Sequence, residues 1–180
     1  MATIVIIMKI NVIGCTGTGK TTLCKLIASR LTISSMDLDE IAWSPNWTLR
    51  PQTAVAEDLC EVLKQDSWVI AGDYSKYRHI IMKDADYILW LDYPFWTNLS
   101  RLLKRTMRRI IYKETCCNGN YESLYLTCFT KNSIIYWFFK SFWKVKNRNI
   151  TLIQDSQLGA KVVRLQSDIE TEAFVNLISN

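Results

Sequence analysis

Gly14, Gly17, Gly19, Lys20 and Thr21 are the residues whose types and spacing can carry chemistry. They stand in the run Gly14-Cys15-Thr16-Gly17-Thr18-Gly19-Lys20-Thr21, which fits G-x-x-x-x-G-K-[ST] without a mismatch. A polyphosphate concentrates charge in a small volume. Backbone N–H groups can surround it only where the chain curls tightly, and glycine permits that curl because it has no Cβ. Lys20 supplies a mobile cation for β- and γ-phosphates, and Thr21 offers a hydroxyl to Mg2+. The stretch Gly14, Cys15, Thr16, Gly17, Thr18, Gly19, Lys20, Thr21 and Thr22 is therefore expected to bind ATP with Mg2+.

Such a loop works only between a strand and a helix. Residues 3–13 are apolar and β-branched, the pattern of a strand buried on both faces. After the loop, Leu23, Leu26, Ile27 and Arg30 recur at helical spacing as far as Leu31. The loop thus precedes a helix N-terminus, where the dipole favours an anion. Further on, the pattern predicts strands over 32–36, 67–72, 85–92 and 161–165. Helices are predicted over 53–65, 94–112 and 132–145, with a last one starting at Asp168. Residues 43–51 read as irregular, with two prolines and two tryptophans, and 118–120 as a loop. Strands alternating with helices predict a parallel sheet wrapped on both faces.

Several other residues have the right chemistry for a phosphoryl-transfer site. Arg101, Arg105 and Arg108 lie at i, i+4 and i+7 of one helix. Arginines arriving from a lid can stabilise charge on a transferring phosphoryl group. Asp37 and Asp39 sit where a parallel strand ends, the edge at which open α/β sheets bind ligands. Asp39 reads equally as a residue orienting an acceptor hydroxyl and as a helix cap; Asp37 reads as a cap. Asp73 and Asp92 follow later strands, and either can hold Mg2+ through water or serve turn chemistry. Asp73 is taken with Thr21 as the metal pair. His79, the single histidine, reads as a surface or packing residue.

The chain has 180 residues, 49% of them apolar, enough for one domain carrying a lid over about 101–148. Its net charge of +5 is unevenly spread. Residues 94–148 hold 11 Lys/Arg against Glu114 and Glu122, a net of +9, and the remainder is at −4. The basic segment suits substrate phosphates, nucleic acid or an anionic membrane. The six cysteines show no disulfide framework or zinc spacing and fit a reducing cytoplasm. The N-terminus lacks the basic region and cleavage site of a signal peptide, and Met8 is an alternative start. Tyr136, Trp137, Phe138, Phe139, Phe142 and Trp143 read first as a packing helix, second as an interfacial one, and third as a stacking surface for bases.

The layout resembles small adenylate-kinase-related P-loop proteins, some labelled topology modulation proteins. The resemblance covers about Met8 to Leu165. It rests on Gly14 to Thr21, and on Leu38-Asp39 with Trp43, Pro45 and Trp47. It also rests on 68–74 with Arg78, and on Leu91-Asp92-Tyr93-Pro94 with Arg101, Lys104 and Arg105. It implies a three-layer α/β/α P-loop fold with a parallel five-stranded sheet in order 2-3-1-4-5 and a helical lid. It further implies an acceptor region near 37–78, for which Asp39, Arg50, Tyr74 and Arg78 are candidates, and arginines from the lid, with Lys20, Arg101, Arg105 and Asp39 as catalytic candidates. Two departures stand out: Ala71 occupies the place of an aspartate expected to help hold Mg2+, and Phe95 follows Pro94 where the group often has Arg. The expected activity is ATP-dependent phosphorylation of a small molecule such as a nucleoside or nucleotide. The alternatives are an ATP-binding regulator without turnover, motivated by Ala71, and a DNA binder acting through the basic segment.

Overall fold

A computed structural model describes residues 7–123, 133–154 and 159–179. The first strand, β1 (Lys9–Gly14), runs directly into the glycine-rich loop. Its expected beginning at residues 3–6 lies outside the described residues, as do Cys128 and the start of the helix expected from Asn132. After β1 come α1 (Lys20–Leu31), β2 (Ser34–Asp37), α2 (Leu38–Ala42), β3 (Trp43–Ser44) and β4 (Thr48–Leu49). The stretch expected to be irregular is thus a small antiparallel hairpin around a 3-10 turn at Pro45–Trp47. Then follow α3 (Gln52–Leu63), β5 (Trp68–Ala71), α4 (Arg78–Asp84), β6 (Tyr87–Leu91) and α5 (Phe95–Tyr112). The hairpin β7 (Thr115–Cys116) and β8 (Asn120–Tyr121) precedes α6 (Ile134–Ile153), β9 (Lys161–Leu165) and α7 (Asp168–Ser179).

Five strands form one parallel sheet in the order β2-β5-β1-β6-β9. Counted along the chain these are strands 2-3-1-4-5, the expected order. Both faces are covered. On one, Leu23, Cys24 and Ile27 of α1 and Phe174 and Val175 of α7 pack on Ile10, Val12, Val69 and Leu89. On the other, Leu38, Leu59, Ile81 and Met82 pack on Ile13, Trp68, Ile70 and Trp90. The central strands are buried on both sides, which is why they read as unbroken apolar runs rather than alternating ones.

A third cluster joins the loop to the outer helices: Cys15 with Leu99 and Leu102 of α5 and Phe138 and Phe142 of α6. Helix α6 starts where Ser133 accepts bonds from the Ile135 and Tyr136 amides, each 3.2 Å. It continues eight residues past its expected end at Val145. Tertiary contacts sustain the extension: Lys146 and Arg148 pair with Asp92 and Asp73, and Leu152 packs against the second core cluster. Among the described residues, no helix is long and apolar enough to cross a membrane.

Candidate active site at the carboxyl edge of the sheet

In a parallel sheet every strand delivers its following loop to the same edge. Here that edge receives the glycine-rich loop after β1, Asp37 at the end of β2, Asp73 after β5 and Asp92 after β6. Gly14, Gly17 and Gly19 have φ of 150°, 85° and 91°, a region that side chains rarely enter. A Cβ on Gly17 would meet the Asn98 carbonyl at 2.7 Å, so α5 lies directly against the loop. Beside Gly19 the space is open, with no atom within 4 Å of a notional Cβ. Gly19 caps α1, whose first turn carries no acid, so its positive end is not neutralised by its own residues. The Thr18 hydroxyl and the Lys20 ammonium each donate to the Cys15 carbonyl at 2.9 Å. Burial raises the Cys15 thiol to about 11. At neutral pH it is an uncharged packing group whose Sγ donates to the Phe142 carbonyl at 3.6 Å.

The Thr21 hydroxyl bonds to one oxygen of Asp37. The other oxygen accepts from the Asp39 amide at 2.9 Å, so Asp37 also caps α2 as expected. Burial, with a smaller push from Asp39, raises the Asp37 carboxyl above its ordinary value; Thr21 and Lys20 oppose that shift. Asp37 has no ion-pair partner among the described residues. A half-buried carboxylate beside a hydroxyl is a hard-oxygen pair suited to Mg2+ completed by phosphate and water oxygens. Asp73, the expected metal partner of Thr21, is engaged elsewhere. One of its oxygens takes the Arg78 Nε at 2.5 Å and the other takes Arg148, with the carboxylate 5% exposed. Asp92 is likewise clamped, by Lys146 at 3.0 Å and Arg164 at 2.5 Å. Ala71, at the departure noted in the sequence, is fully buried and lies in register beside Asp37.

Asp39 accepts from the Tyr74 hydroxyl at 2.9 Å, joining two expected acceptor residues. Burial, then Asp39, raises the Tyr74 phenol, so it stays a donor. Arg105 faces this side. Burial and the neighbouring Arg109 lower its guanidinium, while Glu122, Cys116 and Asp39 act in the opposite sense, and its Nε is buried without a partner. Arg109 pairs with Glu122 at 2.7 Å. Arg101, one turn earlier, does not join this group; it bonds to Asp168 at 2.5 Å and lies 4.5 Å over the Tyr93 ring. Arg108 pairs with Glu114 at the surface, and Arg50 with Asp58 at 2.7 Å. Arg78 meets Asp73 rather than Asp39, and its Nη2, like the Arg148 Nε, is buried and unpartnered. His79 is exposed, as expected.

Two asparagines that the sequence did not single out tie the β7–β8 hairpin to residues 40–47. Asn118 Nδ2 donates to the carbonyls of Glu40 and Trp43 at 2.9 and 2.7 Å. Asn120 Nδ2 donates to the Ser44 carbonyl at 2.9 Å, and its Oδ1 accepts the Trp47 amide at 2.7 Å. The run Asn118-Gly119-Asn120 signals only a turn, because the carbonyls it meets lie about seventy residues earlier. Lys146, Arg148 and Arg164 were missed for the same reason.

No family model matches the chain, and no curated protein matches it in sequence. Solved structures do. Shikimate kinase from Acinetobacter baumannii, solved in complex with shikimate, superposes with a TM-score of 0.57 at 13% identity, covering 97% of this chain and 94% of that one. A gluconokinase from Sinorhizobium meliloti gives 0.53 at 13%, covering 96% and 94%. Shikimate kinase from Aquifex aeolicus gives 0.51 at 16%, covering 96% and 95%. The chain has the fold of the small P-loop kinases. The loop at 14–21, the Thr21–Asp37 pair and the Asp39–Tyr74 pair all lie at or beside the carboxyl edge of this sheet.

Proposed function

We propose that this protein is an ATP-dependent phosphotransferase whose acceptor is a small polar molecule. The observation that carries the reading is the Thr21–Asp37 pair, set at the first turn of α1 directly after a loop whose glycines open it to an anion. Backbone amides of 14–21 and Lys20 would hold the β- and γ-phosphates. Lys20 needs only to exchange the Cys15 carbonyl for a phosphate oxygen. Thr21 and Asp37 would hold Mg2+, which neutralises charge on the phosphates when bound. Arg105, with an unpartnered Nε, is the lid cation best placed to meet the transferring group.

For a hydroxyl acceptor, Asp39 orients the nucleophile and accepts its proton, while Tyr74 fixes the carboxylate. For a phosphate acceptor no base is needed. Arg78 and Arg148, both paired with Asp73, each keep one buried N–H without a partner, which would suit an anionic substituent on the acceptor, whether nucleotide phosphate or carboxylate, once binding opens the site to it. The structural relatives named for shikimate and gluconate chemistry make carboxylated polyols worth testing beside nucleosides and nucleotides. The test is ATP consumption across such a panel, comparing the wild type with Lys20→Ala. Turnover on one acceptor class, reduced at least a hundredfold by the variant, supports the reading. Equal rates overturn it. Ala71 keeps a second reading open. Mg-ATP binding without transfer to any acceptor identifies a nucleotide-binding regulator instead.

A further inference from the structure

Helices α5 and α6, of 18 and 20 residues, contain no Asp or Glu. Phe138 and Phe142 of α6 face inward and complete the cluster around Cys15. The outward face of α6 carries Phe139 and Trp143, 53% and 59% exposed, and α5 adds Trp96, 75% exposed. Phe95 joins these three rings into one patch, with centroids at 5.1 Å from Trp96, 5.8 Å from Phe139 and 6.4 Å from Trp143. The core is filled without them, so packing does not account for the patch.

A base follows four of the exposed apolar residues, two on each helix. The pairs are Phe139-Lys140 and Trp143-Lys144 on α6, and Leu103-Lys104 and Met107-Arg108 on α5, all exposed. Each pair recurs after four residues, so each helix carries an apolar stripe with a basic stripe beside it. Among the described residues only Arg108 of the four bases has an ion-pair partner, Glu114. This is the arrangement of a helix lying in a bilayer interface: rings and aliphatic chains enter the acyl boundary, and lysine stems reach back to the lipid phosphates.

From this pattern we propose that the α5–α6 face docks on an anionic lipid bilayer. A second copy is disfavoured by charge, since it would bring together two helix pairs that lack acids. Single-stranded nucleic acid would satisfy the charge and stack on the tryptophans, but Leu103 and Met107 offer a base no π face. An acyl layer accepts both. Because no described helix can span a membrane, the contact is peripheral.

Sedimentation of the intact protein with vesicles tests this, using phosphatidylcholine alone and an equal mixture with phosphatidylserine. Partition to the mixed vesicles should exceed that to phosphatidylcholine, with a blue shift of tryptophan emission. Lys140→Glu with Lys144→Glu should lower that partition about tenfold or more without changing the melting temperature. Phe139→Ser with Trp143→Ser should abolish the blue shift even where electrostatic attraction persists. Equal partition to both vesicle types, or none, overturns the proposal. Binding of a single-stranded oligonucleotide without vesicle binding reassigns the face to nucleic acid. A concentration-dependent dimer lost in Phe139→Ser with Trp143→Ser, without vesicle binding, reassigns it to a second copy.

Discussion

Asp37 serves two elements at once, capping α2 with one oxygen and meeting Thr21 with the other. From sequence the cap was legible and the hydroxyl contact was not, because Thr21 lies sixteen residues earlier on another element. The glycine-rich turn between β1 and α1 was legible in full, since its conformation is local and its residue types are few. The dual placement of Asp37 sets function against stability. Its carboxyl is raised on folding, so from its ordinary value of 3.8 upward the folded chain holds the proton more tightly than the unfolded chain. Stability therefore falls as pH rises through that window, and at neutral pH the half-buried charge is a cost. Asp37→Asn should raise the melting temperature of the ligand-free protein at pH 7 and not at pH 3. It should also remove most of the additional stabilisation that Mg2+ gives in the presence of ATP. Thermal melts at the two pH values, with and without Mg-ATP, read both effects. A variant less stable than wild type at pH 7 would refute the assignment of strain to this carboxylate.

The hairpin β7–β8 shows how an element acquires a role that its sequence does not announce. It is two residues to a strand and reads as a loop, yet Asn118 and Asn120 bind the backbone of residues 40–47. It also follows α5 directly, and Glu122 just beyond it pairs with Arg109, so the hairpin links residues 40–47 to the end of the helix that carries Arg105. Asn118→Ala with Asn120→Ala should raise KM for the acceptor about tenfold, as expected when several hydrogen bonds worth about 1 kcal/mol each are partly replaced by water. Affinity for Mg-ATP should stay within about twofold, because the loop at 14–21 makes none of these bonds. Initial-rate kinetics with each substrate varied in turn separate the two. Equal losses on both substrates would show that the hairpin supports the whole fold rather than the acceptor side. Helix α6 makes the same point about length: its apolar period thins near Val145, and pairing with distant acids, together with Leu152 packing against the second core cluster, carries it on.

At the scale of the whole molecule, alternation of strands and helices was enough to read a parallel three-layer fold. The order of the strands was not readable from their own residues. Central parallel strands are all apolar, so their pattern carries burial but no pairing preference; the order followed from resemblance. Equally invisible was the way α6 closes the carboxyl edge. Lys146 and Arg148 of that helix reach Asp92 after β6 and Asp73 after β5, while Arg78 of α4 and Arg164 of β9 brace Asp73 and Asp92 in turn. Each acid is buried, while the cations are a quarter to two-fifths exposed, so part of each interaction is screened by water. Asp73→Asn and Asp92→Asn should therefore each cost about 2 kcal/mol, less than a fully buried pair would. Both acids hold one stretch of helix, at Lys146 and Arg148, so releasing it from either acid loosens its hold on the other, and the double variant should cost less than the two single losses together. Urea denaturation of the four proteins measures the coupling. Strict additivity would mean that α6 is held by its aromatic cluster beneath Cys15 alone, with the two acid clamps acting independently on the sheet edge.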